Sequence, residues 1–185
     1  KMKQILVGFA KKIDIINMNN IPMQHTIELM KNKTQSQDKV VEFIKNADLY
    51  MDNFEFVDMD KIQLEATEDD EKPEEKVLDI PENIMDQIRL VSTYRGVHVP
   101  SMLFDSTGTK KIAAIASYVI EALEQGRILI VDELDSSIHF KLTRAIVAMF
   151  NNELNTNAQM IFTVHDINLM DCKRIFRKEQ IWFVH

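Results

Sequence analysis

The sequence predicts an α/β fold, a mainly parallel sheet under helical cover, with a helical and strand insertion on its N-terminal side. Three observations carry this. Over the last eighty or so residues, short β-branched runs ("RILIVDE", "AQMIFTVHD", "QIWFV") alternate with helical patterns, the rhythm of strand–helix–strand units. A long amphipathic pattern runs between Ser106-Thr107 and Gly126. Acids and a histidine, Asp132-Glu133 and His165-Asp166, follow directly on two of the apolar runs, and open parallel sheets gather their functional groups at such strand ends.

The elements follow in order. "QILVGFAKKIDIINM" reads as a short helix or strand from Ile5 to Phe9 and a strand at Ile13 to Ile16. Val40, Val41, Ile44, Ala47 and Leu49 lie at helical spacing. They predict a helix over about 37–48, with Thr34 or Ser36 as N-cap and Gln37 closing a capping box with Thr34. Phe54, Phe56 and Met59 alternate with acids as in an edge or hairpin strand. From Glu65 to Lys76 acids and a proline dominate, the composition of a solvated loop. "IRLVSTYRGVHVPSMLF" reads as two strands about a turn at Arg95-Gly96. Ser106-Thr107 then cap a long helix whose buried face is Ile112, Ile115, Ala116, Val119, Ile120 and Leu123, ended by Gly126. A buried strand "RILIVDE", a helix "SSIHFKLTRAIVAMFNN", a second buried strand "AQMIFTVHD" and a third strand "QIWFV" complete the pattern. The expected divisions are an insertion-side segment at 1–64, an acidic flexible loop at 65–80 and a chemistry-bearing part at 81–185.

Composition bounds the function. With 185 residues and 45% hydrophobic content the chain can bury a substantial core. A net charge of -7 argues against general affinity for a nucleic-acid backbone and leaves only local contacts with a polyanion. Cys172 is the only cysteine, which excludes an internal disulfide and a cysteine-clustered zinc site and fits a reducing, cytoplasmic setting. No apolar run approaches the roughly 18 residues of a membrane span. Lysines 11 and 12 and Asp14 interrupt the first apolar stretch, so it is no signal peptide. The chain opens on Lys1 and closes on His185 just after a strand-like run, ends expected of a piece of something longer.

Chemistry concentrates in three places. Asp132 at a strand end is suited to hold Mg2+ directly or through its water shell, and Glu133 to act on an attacking water; the bland alternative is a pair capping the next helix. His165 in "TVHD" is placed to hydrogen-bond a terminal phosphate or that water, or is a structural strand-end histidine. "DSTGTKK" sets Ser106, Thr107 and Gly108 at a helix N-terminus, with amides and partial positive charge suited to an anion, or forms a plain N-cap. Lys110 and Lys111 add positive charge to that site or, as the preferred reading, are solvated helix residues.

Together, "FDSTGTKKIAAIASYVIEAL", "ILIVDELDSSIH" and "MIFTVHD" resemble, in order, the signature motif, the Walker B strand with its D-loop, and the switch histidine of ABC-type ATPases. The resemblance is to the soluble branch of SMC, RecF and OLD-like proteins and, within it, to the AAA-type ATP-binding proteins of abortive-infection and other anti-phage systems. It covers about residues 88–185 well and 1–64 loosely, and departs from the transporters at "TGT". It implies ATP and Mg2+ as ligands, Asp132 at the metal, Glu133 and His165 as catalytic groups, and Asp135 as the D-loop acid that couples two sites. Ser106 and Gly108 would reach the γ-phosphate held by a partner, because two protomers share each site. It also implies a homodimer and an effector protein or nucleic acid as further partner.

None of the four glycines, at 8, 96, 108 and 126, begins a G-x-x-x-x-G-K-[ST] loop, the cradle for β- and γ-phosphates. The polypeptide alone is therefore expected to hold ATP poorly, and the simplest account is the later part of an ATPase domain. Such a part would expose strand edges and apolar surface and associate in solution. Two alternatives remain open at this point: a non-catalytic dimerisation or interaction module, favoured by the missing loop, and a Mg2+-dependent nuclease using Asp132, Glu133 and Asp135.

Overall fold

The computed structural model describes residues 12–48, 50–58, 81–171 and 175–183. The readings of residues 5–9, Leu49, Met59, the acidic loop and Cys172 lie outside them. Along the chain run β1 (Ile13–Asn17), α1 (Gln24–Lys31), α2 (Gln37–Ala47), β2 (Asn53–Phe56), α3 (Glu82–Ile88) and β3 (Leu90–Tyr94). Then follow β4 (Val97–Pro100), α4 (Ser101–Phe104), α5 (Thr107–Gln125), β5 (Ile128–Asp132), α6 (Phe140–Phe150) and β6 (Gln159–Phe162). These form two compact units, one of Lys1–Pro22 with Ala114–His185, the other of Met23–Ala113.

The first unit is built on a parallel sheet ordered β1-β5-β6. The α/β class and the parallel pairing agree with the pattern of alternating strands and helices. Asn17 pairs with Asp132 across β1 and β5, so the carboxyl ends of both strands finish level. Ile16, Leu129 and Val131 are buried, as are Ile146, Val147 and Phe150 on one face of α6, the i, i+1, i+4 spacing of a helical stripe. In α5, Ile112, Ile115, Ala116, Val119 and Ile120 of the expected face are buried, but Leu123 is only half-buried and Ala113, Ala114, Ser117 and Ala122 are buried too, so burial is not confined to one stripe. Gly126 ends α5 at φ +64 with Arg127 N–H donating to the Ala122 carbonyl (2.9 Å), a left-handed C-terminal cap. A Cβ there would also meet the Asn157 Cβ at 2.9 Å.

Several expectations are corrected here. Neither β5 nor β6 is buried on both faces. The register aligns Ile15, Ile130 and Ile161 in one row, and Ile15 is 74% and Ile161 60% exposed. A strand reads as buried on both sides only when two layers cover it, and among the described residues this face has no such cover. The described residues of "QIWFV", 180–183, form no strand: residues 178–180 make a short 3-10 turn, and Trp182 and Phe183 are exposed without a ladder partner among the described residues. The helix expected from Ser136 starts only at Phe140, because residues 133–137 are taken up in turns with Glu133 and Ser137 at positive φ.

The second unit holds the antiparallel sheet β2-β3-β4. The β3–β4 turn falls at Arg95 (φ 51) and Gly96 (φ 80), the paired left-handed residues of a tight hairpin. Phe54 in β2 is fully buried, while Phe56 lies under the Arg89 guanidinium at 4.6 Å. α2 begins and ends within a residue of expectation and buries Val40 and Ile44. Its capping box does not form: the Ser36 side chain at the N-cap makes no capping bond to the helix, and the Thr34 hydroxyl is buried with no partner. Two helices had no clear signal, α1 and α3; Lys31 of the first bridges to Asp86 (2.9 Å) and Glu82 (3.1 Å) of the second. "PSMLF" turns into α4 instead of extending β4, since Pro100 removes the donor a longer ladder would use.

Candidate functional site

In the first unit the parallel sheet delivers four of the residues singled out above to one place. Asp132 is the last residue of β5, and its carboxylate is held from both neighbouring strands. Oδ2 accepts from Asn17 Nδ2 at the end of β1 (2.7 Å), and Oδ1 accepts from Thr163 Oγ1 just past β6 (2.7 Å). Each oxygen keeps a lone pair beyond these bonds, and the residue is exposed.

Glu133 leaves the strand in the left-handed region, φ 55, a conformation costing a non-glycine residue about 1 kcal/mol or more. Thr163 offsets that cost twice. Its hydroxyl accepts from the Glu133 N–H (2.8 Å), and its carbonyl accepts from the Leu134 N–H (2.9 Å). The turn swings the Glu133 carboxylate to where Asn19 Nδ2 donates to Oε2 and His165 Nε2 lies 4.0 Å from Oε1. Asn19 also accepts from the Ser136 hydroxyl, tying the 3-10 turn after β1 to the loop after β5.

Asp135 faces inward. Its Oδ2 accepts from the backbone N–H groups of both His165 and Asp166, each at 2.9 Å, and its Oδ1 is buried without a partner. The imidazole of His165 is 82% exposed, so Asp135 holds the histidine's backbone while its ring stays free. Sequence reasoning missed Asn17, Asn19 and Thr163. Asn17 and Asn19 stand in "NMNN", a polar cluster directly after a strand, and Thr163 opens "TVHD"; both were visible as polar residues at strand ends.

Ser106, Thr107 and Gly108 belong to the other unit. Ser106 caps α5: its Oγ accepts from the Thr109 N–H (3.0 Å). The preceding Asp105 is 7% exposed and takes three hydroxyl donors, Ser92 and Ser101 at 2.6 Å and Tyr94 at 2.9 Å. Burial, then the bond to Asp105, then the charges of Asp105 and Asp48 push the Tyr94 phenol well above its ordinary value of 10.0. The folded-state value thus exceeds the unfolded one, so this contribution to stability is fully present below about pH 10 and is lost as pH rises above it. Tyr94→Phe is expected to flatten that alkaline loss in urea-unfolding curves between about pH 9 and 11; a slope equal to wild type would remove Tyr94 as its source.

The donor set suits a hydrated Mg2+. That ion keeps several waters and takes one or two carboxylates plus phosphate oxygens. Asp132 and Glu133 offer hard oxygens with free lone pairs, and among the described residues no group of three or more His, Cys, Asp or Glu forms a closed metal cage. No helix among the described residues is long and apolar enough to cross a membrane.

No curated protein matches the chain. A family described as "AAA domain, putative AbiEii toxin, Type IV TA system" matches residues 22–171, a span that contains α1 to β6, the Asp132–Glu133 turn, His165 and Ser106. With most of its length inside that match, and with a parallel α/β sheet carrying an acid pair at a strand end, the chain belongs to this family of AAA-type ATPase domains.

Proposed function

We propose that this domain is part of a dimeric nucleotide switch whose assembly binds ATP with Mg2+ and hydrolyses it, in phage defence or a DNA-related process; without a phosphate loop, residues 1–185 alone do not hydrolyse ATP. The toxin–antitoxin setting of the family's description supports that context. The observation that carries the reading is the cluster of Asp132, Glu133 and His165 beyond the ends of β5 and β6, with Asn17, Asn19 and Thr163 bonding the two acids.

In this reading Asp132 holds the Mg2+ shell, with Asn17 and Thr163 aiming its carboxylate. When bound, Mg2+ supplies charge neutralisation at the phosphates. Glu133 takes the proton of the attacking water as its oxygen bonds the γ-phosphorus and the bond to ADP breaks. His165 donates to the γ-phosphate. Asp135 couples the two sites of the dimer by way of the histidine loop it grips, and Ser106 and Gly108 reach the nucleotide of the partner. Residues 81–185 would carry these parts, 1–64 the insertion side and 65–80 the acidic loop between them. The glycines include no phosphate loop, so the cradle for the β- and γ-phosphates must come from elsewhere in the assembly.

Sedimentation velocity with and without MgATP, on an assembly that supplies the phosphate loop these glycines do not form, tests the switch. The expected result is a nucleotide-dependent shift from monomer to dimer that EDTA reverses and Asp132→Ala removes. A sedimentation profile indifferent to MgATP would sink the reading and favour a non-catalytic interaction module.

A further inference from the structure

We propose that Asp48, acting through Thr109, turns the hydroxyl proton of Ser106 inward and thereby sets how readily the start of α5 engages a phosphate. The inference rests on the reading of Ser106 given above. Three bonds carry it, all within the second unit. Thr109 Oγ1 donates to Asp48 Oδ2 at 2.9 Å, Ser106 Oγ and Thr109 Oγ1 lie 3.0 Å apart, and the Thr109 N–H donates to Ser106 Oγ at 3.0 Å.

A hydroxyl has one proton and a carboxylate only accepts. The Thr109 proton is therefore committed to Asp48, and the short contact between the hydroxyls is satisfied only with Ser106 as donor. Ser106 then has its proton inside the turn and one lone pair spent on the Thr109 amide, so what it shows outward is a lone pair. A terminal phosphate at neutral pH is an acceptor, and two acceptors repel. To donate to it, Ser106 must rotate and give up its bond to Thr109.

The position of Asp48 supports a role beyond stability. It is the C-terminal cap of α2, where the helix dipole disfavours a negative charge. It is nonetheless anchored there, with its N–H on the Ile44 carbonyl (2.9 Å) and its Oδ1 accepting from the Tyr50 N–H (3.2 Å). Thr109 is 7% exposed, so its hydroxyl has few other acceptors. Without Asp48, Thr109 would donate to Ser106 and leave the serine proton free to point outward. Asp48 and Thr109 are positioning residues in this scheme; neither touches nucleotide.

Two measurements test it. In thermal unfolding, Asp48→Ala and Thr109→Val are expected to be non-additive, because each removes the same bond; strictly additive losses would overturn the relay. In a Glu133→Gln background of the assembly that supplies the phosphate loop, with MgATP as the probe, Asp48→Ala and Thr109→Val are each expected to tighten nucleotide-dependent dimerisation about three- to tenfold, the worth of one released neutral hydrogen bond. Thr109→Ser is expected to restore the parent value and Ser106→Ala to weaken dimerisation. If Ser106→Ala weakens it while Asp48→Ala and Thr109→Val leave it unchanged or weaker, the relay is refuted and the reading of Ser106 stands. If Ser106→Ala has no effect, the reading of Ser106 falls and the relay's control of phosphate engagement falls with it.

Discussion

In an assembly that supplies the phosphate loop, replacing Glu133 by glutamine is expected to lower ATP turnover about a hundred- to ten-thousandfold, the range contributed by a positioned general base, and to leave MgATP binding intact. The amide keeps the shape of the carboxylate and cannot take a proton from water. Asn19 Nδ2 donates to Glu133 Oε2, and a glutamine side chain can still present an oxygen there, so the loop after β5 should hold its turn. The backbone bonds that keep residue 133 at positive φ, to the Thr163 hydroxyl and carbonyl, do not involve the side chain at all. The readout is steady-state phosphate release beside nucleotide binding by calorimetry. Turnover within about threefold of wild type would take Glu133 out of the chemistry, and loss of binding together with turnover would make it a structural residue.

The largest effect on folding is expected at Asp105. Its carboxylate is the common acceptor for Ser92, Ser101 and Tyr94, and Ser92 and Ser101 are themselves fully buried. Asp105→Ala strands three donors at once. A buried donor left unmade costs about 1–3 kcal/mol, and hydroxyls can partly re-pair by rotation, so the net loss should be about 3 kcal/mol. For a chain of this length that lowers Tm by about 6–12 °C. Asp105→Asn keeps one acceptor oxygen and should lose about 1 kcal/mol. A spectrophotometric titration gives an independent check, because the Tyr94 phenol should return toward its ordinary value once Asp105 is gone. Equal stability of the Ala and Asn variants would show that the hydroxyls find other partners and that Asp105 is not their anchor.

Asp105 also shows how the two sources of information divide. In the sequence it is one acid before a helix start. Its three partners come from β3 and from the first residue of α4, up to 13 positions away, and no local pattern announces them. Asp48 and Thr109, 61 residues apart, are the same case. Patterns of short range fared better. The hairpin at Arg95-Gly96, the length of α5 and its stop at Gly126, and the extent of α2 all follow from backbone preference and periodicity within a few residues, and each stands in the structure. The failures have one cause. Apolar content signals burial, so "AQMIFTVHD" reads as a strand buried on both faces and "QIWFV" as a third strand, but whether a second layer or a neighbouring strand exists is a property of the assembled sheet.

The sequence by itself determined the α/β class, the positions of the principal strands and of the long helix, and the acid pair and histidine at strand ends. Those depend on residue type and on spacing along one stretch of chain. Only the tertiary structure decided that Asn17, Asn19 and Thr163 serve Asp132 and Glu133, that Asp135 grips the backbone of the histidine loop, and that the Ser106 hydroxyl is engaged with Thr109. Hydrogen bonds at 2.7–2.9 Å between residues 30 to 115 positions apart exist only once the strands are paired in register, and pairing in register is what a one-dimensional pattern leaves open.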